Sequence, residues 1–220
     1  MTQQNLVQGP HQGQPIRMAG EPVSRARAAL IMLHGRGARA EDILSLANEF
    51  SLPGFAYVAP QAAGDTWYPN RFLVPLVENE PWLSSALKFV GEVLTEIITA
   101  GIPPERIILL GFSQGACLTL EFAARNARRY GGVVGFSGAL IGPEDTPRDY
   151  KGSLAGTPVF LGCSDTDFHV PKERVDQTAE VLRRLGGEVT ERLYPNMDHS
   201  VNQDEIDFVR AIMQTLLASS

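Results

Sequence analysis

The chain is poor in cysteine, with only Cys117 and Cys163 among 220 residues. Both lie in apolar surroundings ("GACLTL" and "VFLGC"), which points to buried, reduced thiols and a cytoplasmic address rather than to a disulfide. There is no C-x-x-C, no H-E-x-x-H among the four histidines and no G-x-G-x-x-G behind a strand, so neither a metal nor a dinucleotide is expected, and no cofactor at all. Nor is there a basic run. Lysine and arginine number 19 against 25 acids, a net charge of −6. The arginines of "ARNARRY" at 124–130 sit where they would complement a helix C-terminus. A nucleic-acid partner is therefore not expected. No apolar stretch nears the ~18 residues of a membrane span. "MTQQNLVQGPHQGQP" lacks the apolar centre and cleavage signature of a signal peptide.

What is present suits a packed globule: 44% hydrophobic and 20% charged residues. Residues 1–25 read as a polar, partly mobile N-terminal segment that holds His11, with room for one short strand near "QPIRMAG". From 26 to 220 the pattern alternates. Apolar runs such as "AALIML", "FAYVAP", "RIILLGF", "GGVVGFSG" and "TPVFLGC" read as strands. Between them lie helical stretches at 40–50, at 83–100 with Leu83, Leu87, Val90, Leu94 and Ile97 on one stripe, at 113–126, and after Pro171. "EVTERLYP" alternates as a half-exposed strand, and 203–217 reads as a closing helix. Such alternation predicts one α/β domain, a mostly parallel sheet with helices on both faces. The connections at 61–80 and 139–156 are too short for a cap domain.

In such a sheet the chemistry gathers in loops at the carboxyl ends of strands. "GFSQG" fits G-x-S-x-G between a strand and a helix. There the flanking glycines permit a turn sharp enough to present Ser113 at the sheet top, with free helix N–H groups behind it. A serine needs a base, and the base an orienting group. His34, directly after a strand in "LHGRG", reads as a structural hydrogen-bonding residue, and His169 as a residue of the cleft mouth. His199 follows the last strand, where a base is expected. The acid is left open between Asp165 and Asp167. The two glycines of "LHGRG" allow the Arg36 N–H to turn toward a substrate carbonyl, with the Gln114 N–H as second oxyanion donor. Trp67, Tyr68 and Phe72 of "DTWYPNRF" are candidates for lining an acyl pocket.

On "LHGRGA", "GFSQGA", "DFHVP" and "YPNMDHS", the chain from about residue 26 onward resembles the phospholipase/carboxylesterase family of small α/β-hydrolases, which includes carboxylesterases, lysophospholipases and acyl-protein thioesterases. The resemblance implies an α/β-hydrolase fold and an ester hydrolase with a Ser113–His199–acid triad. Its D-x-x-V-P register puts the acid at Asp167, leaving Asp165 to brace the loop. The chain departs from the family at Phe168, where proline commonly follows the acid, and at Asn196 and Asp198, where glycine is common. The expected partner is a small-molecule or lipid ester, with a homodimer left open. Thioester or lysophospholipid cleavage on the same triad is an alternative, as is a non-catalytic binding protein on a hydrolase scaffold. A dienelactone-hydrolase-like enzyme would carry cysteine where Ser113 stands.

Overall fold

Successive residues of the central strands enter different cores. In the computed structural model, which describes residues 9–218, Ala29, Ile31 and Leu33 of strand β2 (Ala28–Leu33) face one apolar cluster, and Ala28, Leu30 and Met32 face another. The two-residue period of an extended chain forces this division, and a strand covered on both sides must be apolar throughout. Strands β3 (Phe55–Pro60), β4 (Ile107–Phe112) and β5 (Gly132–Phe136) are apolar for the same reason. Strands β6 (Pro158–Ser164) and β7 (Glu188–Tyr194) follow, and β1 (Ile16–Gly20) precedes them all. The sheet order is β1-β3-β2-β4-β5-β6-β7, with only β1 antiparallel to its neighbour.

Helices α3 (Trp82–Thr99), α4 (Gln114–Arg125) and α5 (Lys172–Arg184) cover one face. On α3 the buried stripe includes Leu83, Ala86, Phe89, Val90, Val93, Leu94 and Ile97, while Leu87 is only half-buried. The other face carries α1 (Ala40–Leu44), α2 (Leu46–Phe50) and α6 (Gln203–Ala218). The single helix expected over 40–50 is two. Ser45 ends the first and starts the second, its hydroxyl donating to the Asp42 carbonyl at 2.6 Å. Short hydroxyl side chains compete with the helix for backbone acceptors in this way.

The N-terminal segment corrects a second expectation. Of residues 1–25, expected to be partly mobile, 1–8 lie outside the described residues. His11, expected in a polar tail, is fully buried. Its backbone N–H donates to Ser85 Oγ at 3.0 Å, its Nδ1 accepts from the Ala63 N–H at 3.1 Å, and its Nε2 lies 2.9 Å from the Trp67 carbonyl. His34, also fully buried, accepts from the Ala62 N–H at 3.1 Å through Nε2, while its Nδ1 lies 2.8 Å from the Gly35 carbonyl. One ring nitrogen of each histidine must accept, so each is neutral, and the other nitrogen donates to its carbonyl. The indole of Trp67 lies between the two imidazoles, at 5.5 and 5.0 Å. Burial lowers both histidine pKa values, outweighing the bonds to the Trp67 and Gly35 carbonyls.

Replacing His11 with alanine should cost about 2–4 kcal/mol of stability by urea unfolding, from lost packing and two stranded backbone groups. The pH dependence has a definite sign. A histidine whose folded pKa is below its ordinary ~6.5 contributes fully above that pH, and its contribution falls as pH drops through the lowered folded value, because the unfolded chain binds the proton first. Between about pH 7 and pH 5, wild type should therefore lose stability more steeply than His11→Ala, by up to ~1.4 kcal/mol per pH unit. Equal slopes would show that His11 does not titrate against the fold.

Candidate active site

Strand β4 ends at Phe112 and helix α4 begins at Gln114, leaving one residue to make the turn. That residue, Ser113, has φ 55° and ψ −118°, a region that side-chain-bearing residues rarely occupy. Close packing imposes it. A Cβ on Gly115 would lie 2.1 Å from the Leu33 carbonyl oxygen, and one on Gly111 would lie 2.2 Å from the Gly115 carbonyl oxygen. Only hydrogen fits at either place. The Ser113 N–H is fixed by the Phe136 carbonyl of the next strand at 2.9 Å, and its carbonyl accepts from Cys117 at 3.0 Å. The hydroxyl points away, into a cleft of about 340 Å³ at the carboxyl end of the sheet.

His199 Nε2 lies 2.9 Å from Ser113 Oγ, and His199 Nδ1 lies 2.6 Å from Asp167 Oδ2. The other Asp167 oxygen accepts the backbone N–H groups of His169 at 2.8 Å and Val170 at 3.1 Å. Burial pushes the Asp167 pKa up, but the bonds from His199, His169 and Val170 more than offset this, and the carboxyl titrates below its ordinary value. Asp165 stands elsewhere. Its Oδ1 accepts the Asn196 N–H at 2.9 Å and its own N–H donates to the Tyr194 carbonyl at 3.1 Å, tying the loop after β6 to the loop after β7. Asn196, in the left-handed region with φ 52°, holds a position where glycine was noted as common. The histidine loop is closed on its far side by a reciprocal pair: the Asn202 N–H donates to Glu205, and the Glu205 N–H to Asn202.

The other expected residues divide. Arg36, Tyr68, Phe72, Gln114 and His169 all line the cleft with Ser113 and His199. The Arg36 N–H meets no acceptor among the described residues, and that of Gln114, in the first turn of α4, has none within the helix. Trp67 does not line the cleft. It is fully buried, and its indole N–H donates to the His34 carbonyl at 2.9 Å. A buried indole needs such an acceptor, and the one available lies beneath the loop. The Gln114 side chain joins these layers: Oε1 accepts from the Trp67 N–H at 2.9 Å and Nε2 donates to the Tyr68 carbonyl at 2.7 Å. Arg71, Phe112 and Cys117 also line the cleft, and none carried a sequence signal for it.

Known proteins resemble this chain in sequence and in fold. A family model described as Phospholipase/Carboxylesterase matches residues 17–217. An acyl-protein thioesterase 1 of Gibberella zeae is 34% identical over 146 residues, which span 64% of this chain and 62% of that protein. That of Aspergillus fumigatus is 30% identical over 223 residues, 86% of this chain and 88% of that one. Among solved structures, a phospholipase/carboxylesterase from Dyadobacter fermentans has a TM-score of 0.87 at 46% identity, covering 93% of this chain and 96% of its own. The likeness extends over nearly the whole chain in sequence and again in three dimensions, and so the protein belongs to the phospholipase/carboxylesterase family, the α/β-hydrolases that cleave carboxylic esters.

Proposed function

We propose that this chain hydrolyses carboxylic esters through an acyl-enzyme on Ser113. The observation that carries the reading is the unbroken line of contacts from Ser113 Oγ to His199 at 2.9 Å and from His199 to Asp167 at 2.6 Å. Ser113 Oγ attacks the ester carbonyl as His199 Nε2 takes its proton. Asp167, held ionised by its bonds with His199 and with the His169 and Val170 N–H groups, keeps the proton of His199 on Nδ1 and stabilises the imidazolium that forms. The N–H groups of Arg36 and Gln114 receive the oxyanion, which a helix N-terminus also favours. His199 then protonates the departing alcohol, and water repeats the sequence to free the acid.

A thioester is the second reading, favoured by the relatives named acyl-protein thioesterase. The same proton path serves it, because a thiolate leaves more readily than an alkoxide. Matched oxygen and sulfur esters of one acyl chain would separate the two, and a chain-length series of p-nitrophenyl esters would rank the acyl groups.

A fluorophosphonate probe should label Ser113 in the native protein and fail to label Ser113→Ala. That variant should lose about 10³-fold or more of kcat and stay folded. A native protein that resists the probe would instead be a binding protein on a hydrolase scaffold. Asp167→Asn should lower kcat by up to ~10⁴-fold, since the imidazole is then free to take the wrong tautomer. Asp165→Asn should act mainly on stability, by about 1 kcal/mol. A larger fall in kcat for Asp165→Asn, at equal folded fraction, would reverse the assignment.

A further inference from the structure

Although acids outnumber bases in the chain by 25 to 19, neither the cleft over Ser113 nor the hollow beside it is lined by an aspartate or glutamate. Two guanidinium groups line both, those of Arg36 and Arg71. Neither forms a salt bridge among the described residues. They are nevertheless in different states. Arg36 donates to the Pro69 carbonyl at 2.6 Å and the Asn70 carbonyl at 2.5 Å. Its fork is thereby committed to the turn that carries Arg71. Arg71 itself is exposed and makes one long contact, 3.4 Å to the Phe168 carbonyl. Most of its donors remain available at the rim. A third cation, Arg174, is buried behind the cleft wall, 5.6 Å from the ring centroid of Phe72 and donating to the Leu140 carbonyl at 2.9 Å.

On the other side of His199 the surface differs. A second hollow of about 350 Å³ shares Phe112 and His199 with the cleft, but its lining includes Ile43, Leu46 and Val201, with Asp42, Ser45 and Ser200 among its polar members. The Asp42 carboxylate there already accepts the Arg39 N–H at 2.7 Å. The reacting atoms thus stand between a mainly apolar side and a cationic one. We propose that the substrate is an ester bearing a carboxylate on one half and an uncharged, apolar group on the other, with Arg71 receiving the carboxylate. A single free guanidinium fork presents paired N–H donors that match one planar carboxylate. Arg36 acts behind it as a positioning residue through its hold on Pro69 and Asn70. The inference rests on the Ser113 mechanism proposed above and names its substrate class.

The test compares matched ester pairs. One pair carries the charge on the alcohol, the butyrate esters of 4-hydroxybenzoate and of its neutral amide. The other carries it on the acid, the p-nitrophenyl monoester of suberate and its methyl-capped form. In at least one pair kcat/KM should favour the anion about fivefold or more at low salt, and the preference should shrink as ionic strength rises. In Arg71→Gln the anion-to-neutral ratio should fall to about 1, and in Arg71→Lys it should be partly kept. The ratio is the readout, because an arginine that merely tethered the loop to Phe168 would lower both esters alike. No preference in either pair, or a preference that Arg71→Gln leaves unchanged, would overturn the inference while leaving the Ser113 reading intact. Failure to turn over any of the four esters, together with no fluorophosphonate labelling, would instead overturn that reading and this inference with it.

Discussion

Helix α4 approaches strands β2 and β4 so closely that hydrogen is the only side chain tolerated at Gly111 and Gly115, and from that approach the rest of the site follows. Were the helix farther away, the chain could leave β4 through a relaxed turn and Ser113 could keep an ordinary backbone. As built, the serine sits in a region that costs roughly 1–3 kcal/mol. Apolar burial on both faces of the sheet offsets this, since each fully buried Leu or Ile contributes about 1.5–3 kcal/mol. The strain has a use. It raises the hydroxyl above the sheet beside the first N–H of α4, which, like that of any helix, has no partner in the helix. Position and electrostatics come from the same turn.

Around that turn the supporting parts converge from distant stretches of chain. The Gln114 side chain holds the loop from Thr66 to Tyr68, Trp67 is bonded to the His34 carbonyl, and His34 and His11 enclose its ring. The two candidate oxyanion donors therefore belong to segments locked to one another through a single buried tryptophan. Neutral histidines suit this work because each ring supplies one donor and one acceptor with no charge to desolvate.

The parts legible in sequence are those written locally. The alternation of apolar runs marks the sheet. Gly111, Ser113 and Gly115 mark the turn within five residues, and the positions of His199 and Asp167 follow from loop order and family register. What escaped depends on contacts between remote residues. His11 reads as tail because its immediate neighbours are Gln, Gly and Pro, and its partners are 52 to 74 positions away. Trp67 looked like a pocket residue because aromatic composition does not say which side of a loop faces inward. Ser45 broke a helix whose hydrophobic spacing was sound, since the competing bond comes from a side-chain oxygen that periodicity does not weigh. Arg71 gave no signal, because an arginine in a polar loop reads as solvated whatever cavity it borders.

The separation of 86 positions between Ser113 and His199 also has a consequence in time. A chain made from its N-terminus contains Ser113 before strands β5, β6 and β7 and the loop bearing His199 exist, and a domain generally folds as a unit. In a half-made molecule the Ser113 N–H lacks the Phe136 carbonyl that holds it, and its hydroxyl lacks His199 beside it. The Ser113–His199 contact that the proposed mechanism needs is therefore among the last that synthesis permits, after β7 and its loop have been made.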